Sequence, residues 1–213
     1  MRKTFIALTI VTLLMGGCSS NQPQPSSSTK TKAAEKPVEP AKQAEYLTGR
    51  EAFQRLNNAA RNWSPDSRPL KMESRPRAGD KRDGTASVWT ASFASSQRGM
   101  MRSFLWSGAV GEGAPEPGIS PGGQDSFSPG NASTQPFDPA FLHTDTDNAL
   151  KVADKNAPPV AKKDKAAPVK FQLYNETSKQ RLLWRVIYGG SESSAKAVVD
   201  ISARDGGFVK IER

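Results

Sequence analysis

One cysteine, Cys18, and one histidine, His143, are all that this chain of 213 residues holds of either type. A single thiol forms no intramolecular disulfide. Mixed His/Cys zinc sites and the paired histidines of a metalloprotease cannot be assembled within the chain either, and a Cys–His dyad would need Cys18, whose place at the end of a leader assigns it to lipid. A Ser-His-Asp triad would have to use His143, yet no Gly-x-Ser-x-Gly nucleophile turn occurs. Aromatic residues make up only 8%. The one marked apolar run, residues 5–15, is shorter than the roughly 20 residues that span a bilayer. Acidic residues are in deficit, 21 against 30 Lys and Arg, for a formal net charge of +9. These shortages leave one familiar catalytic design open, a pair of carboxylates brought together by folding.

What is present begins with a leader. Arg2 and Lys3 precede the apolar run, and Met15-Gly16-Gly17-Cys18 follows it. A basic start, a short apolar stretch and small residues form a secretory signal over 1–17. The last four residues resemble a bacterial lipobox, with Met15 where leucine is usual. The resemblance implies a mature chain that starts at Cys18 and carries a thioether-linked diacylglycerol and an amide-linked acyl chain. Each buried methylene contributes about 0.8 kcal/mol, so two or three chains anchor stably where one does not. No other cofactor is expected. Ser19, not Asp, after the cysteine looks like an outer-membrane address, so the expected location is the cell membrane or outer membrane, facing the periplasm or exterior.

Residues 18–46 are rich in Ser, Gln, Pro, Lys, Ala and Glu. Such a composition buries too little apolar surface to offset its ordering entropy, and predicts a disordered tether. Folding is expected to start at Thr48-Gly49-Arg50-Glu51, whose spacing fits a capping box. Phe53, Leu56 and Trp63 then recur at helical spacing as core, and Ser64-Pro65 stops the helix. Residues 70–74, the alternating stretch 87–94 around Trp89, and 100–107 with Phe104 and Trp106 read as strands. This first helix-plus-meander unit covers 47–108.

Near the C-terminus, Val169-Lys170-Phe171-Gln172-Leu173-Tyr174 alternates, and Trp184, Val186 and Tyr188 share one face of the next strand. Ala197, Val199, Ile201 and Ala203 share a face of a third strand, leaving Asp200 and Ser202 opposite. Asp205-Gly206 is a hairpin signal, because glycine accepts the positive φ of a primed turn, and Phe208 opens the return strand. The order helix, Trp184-x-Val186, then Val199-Asp200-Ile201-x-x-x-Asp205-Gly206-x-Phe208-Val209 resembles the PepSY family over residues 144–213. That resemblance implies a small non-catalytic α/β module of protease propeptides and secreted or membrane-attached bacterial proteins. Trp184 and Asp200 read as core packing and a strand-end polar contact.

Trp89 to Trp106 is seventeen residues, as is Trp184 to Ile201. Phe104 thereby falls opposite Val199, which keeps inward positions inward and predicts two related PepSY-like units. Leu105 stands where Asp200 does, and the first unit lacks the Asp-Gly hairpin. The expected fold is α+β: antiparallel meander sheets, each packed by one helix. Joining the units, residues 109–143 are rich in Gly, Pro and Ser and carry Glu112, Glu116, Asp125 and Asp138 without a cation. Phe127, Phe137 and Phe141 either pin this segment across a sheet or serve as candidate partner-binding residues. Asp145 and Asp147 read as an N-cap and first-turn acids of a second helix, since no Gly or Glu completes a calcium loop. Pro158-Pro159 ends that helix.

Removing Arg2 and Lys3 with the leader leaves +7, distributed as +1 over 18–49, +6 over 50–108, −4 over 109–143 and +4 over 144–213. An exported basic protein meets anionic headgroups and wall polymers, not nucleic acid. No small-molecule substrate is indicated. The expectation is a non-enzymatic, lipid-anchored envelope module that binds or regulates another extracytoplasmic protein, a peptidase among the candidates. A structural lipoprotein without a specific partner and a carboxylate-based hydrolase are the alternatives.

Overall fold

The computed structural model describes residues 43–131, 134–163 and 167–212. The leader, Cys18 and the tether up to residue 42 lie outside the described residues, as do Ala132 and Ser133. Helix α1 (Gly49–Trp63) begins as its sequence dictates. The Thr48 hydroxyl accepts from the Glu51 amide, and the Glu51 carboxylate accepts from the Thr48 amide at 2.9 Å. Ser64 ends the helix in extended conformation, since the residue before a proline disfavours the helical well. Helix α2 (Thr146–Asn156) is capped by Asp145, and the short α3 (Pro159–Lys163) follows its proline stop.

The strands are β1 (Leu47–Thr48), β2 (Arg68–Ser74), β3 (Thr85–Ala86), β4 (Val88–Ser95), β5 (Met100–Ser107), β6 (Gly118–Ser126), β7 (Val169–Glu176), β8 (Arg181–Tyr188), β9 (Val198–Ser202) and β10 (Phe208–Ile211). β1 pairs with β3. The other eight form one antiparallel sheet in the order β10-β9-β8-β7-β2-β4-β5-β6. This corrects the expectation of a separate sheet for each unit: the first strands of the two meanders, β2 and β7, pair with each other through Met72 opposite Leu173. The α+β class stands. α1 packs on β4 and β5 while α2 packs on β8 and β9, and alternation sends Trp89, Ala91, Phe93, Phe104, Trp106, Trp184, Val186, Val199 and Ile201 into one core with Phe53 and Leu56. All of these are at most 5% exposed. Trp63 is only partly buried, lying 6.2 Å from the Phe104 ring with the Arg98 guanidinium over its outer face.

The halves correspond in detail. Trp89 pairs with Trp106 as Trp184 pairs with Ile201, and Ala91 with Phe104 as Val186 with Val199. Each tryptophan Nε1 donates to the carbonyl one residue before its half's N-cap: Trp89 to Leu47 at 3.1 Å, Trp184 to Thr144 at 2.9 Å. An approximate two-fold axis passes through the Glu73–Gln172 pair of β2 and β7. There the helix N-termini meet. The Gly49 amide donates to the Thr146 hydroxyl at 2.8 Å, which donates to the Gly84 carbonyl at 2.5 Å. The Asp145 carboxylate accepts from both Arg50 and Thr146 amides, placing one negative charge at the positive ends of two helix dipoles.

Residues 109–143 contribute β6, an exposed edge strand on β5. Two of their three phenylalanines are buried in the fold: Phe127 is 7% exposed, and Phe137, 4% exposed, lies 6.0 Å from the Phe53 ring. Their apolar rings are spent on the fold. Phe141 is exposed, with Arg204 stacked over it.

Candidate functional site

Both helices lie on one face of the sheet, so the strand residues of opposite parity form a helix-free face. On its C-terminal half, Arg185 holds Asp200 with two bonds of 2.9 and 3.0 Å, and the Tyr174 hydroxyl donates to the same carboxylate at 2.9 Å. Asp200 is fully buried. It is thus the centre of an ion network, more than the strand-end contact expected from sequence. Glu192 and Glu212 each approach Arg185 to 3.3 Å, and Lys210 bridges Glu176, Asp200 and Glu212. The hydrogen bond to Asp200 raises the Arg185 pKa against the opposing effect of burial. Burial, reinforced by the Asp200 charge, raises that of Tyr174. Hydrogen bonds from Arg181 hold Glu176 below the usual carboxylate range. Every charged group of the cluster finds its partner within the fold, so the cluster reads as structural.

The same half is covered by its own chain. The long connection between β8 and β9 folds back so that Ala195 seals Ile187 and Val198 into a small cluster. In the N-terminal half the equivalent residues of the register are Ser92 and Ser103, whose hydroxyls share a 2.9 Å hydrogen bond. Among the described residues, the β4–β5 connection supplies no such cover there, because the two strands are joined by a tight turn closed by the Gly99 amide on the Ser96 carbonyl. The result is a cleft of about 510 Å³ crossing β7, β2, β4, β5 and β6, with Lys71, Ser92, Ser103, Gln124, Gln135 and Asn175 in its lining.

Lys71 is the cleft's most informative charge. Its counterpart across the two-fold is Lys170, which pairs with Glu73 at 2.9 Å. The position equivalent to Glu73 is Gln172, so Lys71 faces an amide where an acid would stand. No family model, curated protein or solved structure matches this chain. The site is therefore read from its own geometry.

Among the described residues, no group of three His, Cys, Asp or Glu is placed to hold a metal. No described helix is long and apolar enough to cross a membrane. His143 is exposed, engaged only through its backbone with Ala203 and Arg50. Sequence reasoning missed Lys71, Ser92 and Ser103. A signal existed: serines at the positions where the second half carries Ile187 and Val198 break the outward apolar pattern.

Proposed function

We propose that this protein is an exported, lipid-anchored, non-enzymatic envelope module built of two PepSY-like halves, which binds or regulates another extracytoplasmic protein through the helix-free face of its first half. One observation carries the reading. The same sheet position is apolar and sealed by the chain's own loop in one half, but is polar and opens on a cleft in the other. A merely structural surface has no need of a 510 Å³ recess floored by paired hydroxyls. Concave polar sites with a few convergent groups are the usual form of binding sites.

The test is site-specific photocrosslinking in the producing cells, with benzoylphenylalanine at Met101 or Gln124 in the cleft and at Gln54 or Asn58 on α1 as controls. Expected is one discrete adduct from both cleft positions and none from α1. Adducts absent from all positions, in a folded and membrane-bound protein, would refute the binding reading and favour a structural lipoprotein.

A further inference from the structure

We infer that the cleft between β7 and β6 receives an acidic segment of the partner protein, with a carboxylate of that segment on Lys71; this rests on the binding role proposed above. The nature of the occupant is suggested by the fold itself. In the C-terminal half, the equivalent place is filled by polypeptide: a turn closed by the Ala195 amide on the Glu192 carbonyl lies over the sheet, Ala195 packs on Ile187 and Val198, and Glu192 reaches Arg185 at 3.3 Å. A small apolar residue and an acid are what this face accepts when the chain supplies its own cover. Among the described residues, the N-terminal half has the face without a matching β4–β5 segment.

Charge points the same way. On the helix-free face, Glu73, Glu176, Asp200 and Glu212 are all ion-paired. Lys71 makes no ion pair among the described residues, and neither does Arg68. A bulge in the β2–β4 pairing between Pro69 and Lys71 brings Arg68 and Lys71, three residues apart, to the same side of the sheet. Arg102 borders the cleft, but its Nε is on the Gly122 carbonyl and its guanidinium lies over the Phe104 ring of the helix-side core, so it adds no free cation; the one acid in the lining is Asp125. Strands spaced by about 4.8 Å make the crossing from β7 to β6 about 19 Å, the length of roughly six extended residues. The amides of Gln124, Gln135 and Asn175 can donate to and accept from a peptide backbone. No aromatic ring lines the cleft to stack a sugar, and a recess presents its cations to a flat lipid surface less well than a ridge does.

The lipidated full-length protein in neutral detergent micelles would be titrated with a fluorescent ten-residue peptide of Gly, Ala and three Glu, and with its Gln counterpart. Expected is about tenfold tighter binding of the Glu peptide. Lys71→Gln should remove that preference, Arg61→Gln on the exposed side of α1 should leave it, and Ser103→Trp should block both peptides while the melting temperature holds. Equal binding of the two peptides, blocked by Ser103→Trp, would overturn the acidic chemistry and leave the binding role intact. Binding of neither peptide alongside a persisting in-cell crosslink from the cleft would do the same. Loss of peptide binding and crosslink together would remove both. Displacement of the Glu peptide by phosphatidylglycerol micelles, insensitive to Lys71→Gln, would overturn the inference in favour of a lipid surface.

Discussion

The Arg185–Asp200 pair invites a quantitative test because the register supplies its neutral replacement. Thr90 and Leu105 stand at the equivalent positions of the first half, paired on β4 and β5 as Arg185 and Asp200 are on β8 and β9. Asp200 has no exposed side-chain surface and Arg185 only 16%. Arg185→Thr alone leaves a buried carboxylate with the Tyr174 hydroxyl and Lys210 at 3.8 Å, which should cost about 4 kcal/mol, within the range for breaking a buried pair. Asp200→Leu alone should cost less, about 3 kcal/mol, since Glu192 and Glu212 still face the guanidinium. The double variant removes both charges and should lose only about 1–2 kcal/mol, because replacing a buried ion pair by uncharged side chains is often near neutral. Urea unfolding of all four proteins closes a double-mutant cycle. A coupling energy of at least about 3 kcal/mol is expected. Additive single losses, with coupling under about 1 kcal/mol, would mean that the network is solvated and that its burial has been misjudged.

Three further outcomes follow from other contacts. A Cβ on Gly49 would sit 2.6 Å from Trp184 Cη2 and 2.7 Å from Thr146 Cγ2, so Gly49→Ala should lose about 1–3 kcal/mol in chemical denaturation, and adding Thr146→Ser, which keeps the hydroxyl and removes the methyl, should restore part of it; wild-type stability for Gly49→Ala would contradict the packing at the helix junction. Burial raises the Asp66 pKa, but hydrogen bonds from Ser95, the Gln97 amide and Ser64 outweigh it and bring the group from 3.8 to about 2. A depressed carboxylate stabilises above its unfolded pKa and loses that contribution as pH falls through the folded one, so the stability gap between wild type and Asp66→Ala should be full above pH 4 and shrink toward pH 2; a gap independent of pH would show that charge is not involved. Cys18→Ser should abolish incorporation of labelled palmitate and release the protein from the membrane fraction, whereas retained label would place the lipid elsewhere.

Much of the scaffold was legible because local rules and tertiary contacts agree. The Thr48–Glu51 capping box, the stop at Ser64-Pro65 and the strand Met100–Ser107 are where periodicity and capping place them. The edge strand β6 was not legible. Gly118, Pro121, Gly122 and Gly123 carry no alternation, and its extended form comes from pairing with β5, a contact no single-segment period encodes. The shared sheet was hidden for a related reason. Strand periodicity specifies which face is buried and is silent on which edge is paired, so the union of β2 with β7, about a hundred residues apart, could not be read. The cleft escaped because Ser92 and Ser103 look like ordinary strand residues until the missing cover above them is seen. Phe127 and Phe137 show the reverse case, where aromatics in a Gly/Pro-rich stretch fit binding and anchoring equally well and only burial separates the two.

The two halves differ where function would demand it and agree where stability does. At the junction, each half completes the other: the α1 N-terminus takes its partners from Asp145 and Thr146, and the edge of Trp89 meets Trp184 at 6.4 Å. Without the second half the Gly49 and Arg50 amides of α1 would lose their acceptors, which ties the halves into one core. Away from the junction the correspondence relaxes asymmetrically. The Tyr188 hydroxyl donates to Asp154 at 2.8 Å, whereas the equivalent Phe93 offers nothing to Asn57, whose Oδ1 is buried without a partner. Arg185 with Asp200 becomes Thr90 with Leu105, and Ile187 with Val198 becomes Ser92 with Ser103. Each change strips a self-contained interaction from the first half and keeps it in the second. A half that satisfies its own charges and covers its own face has little to offer a partner. In the proposed binding role, the half that leaves Lys71 without an ion pair among the described residues, and Ser92 and Ser103 without the loop that covers their counterparts, is the one that meets the partner.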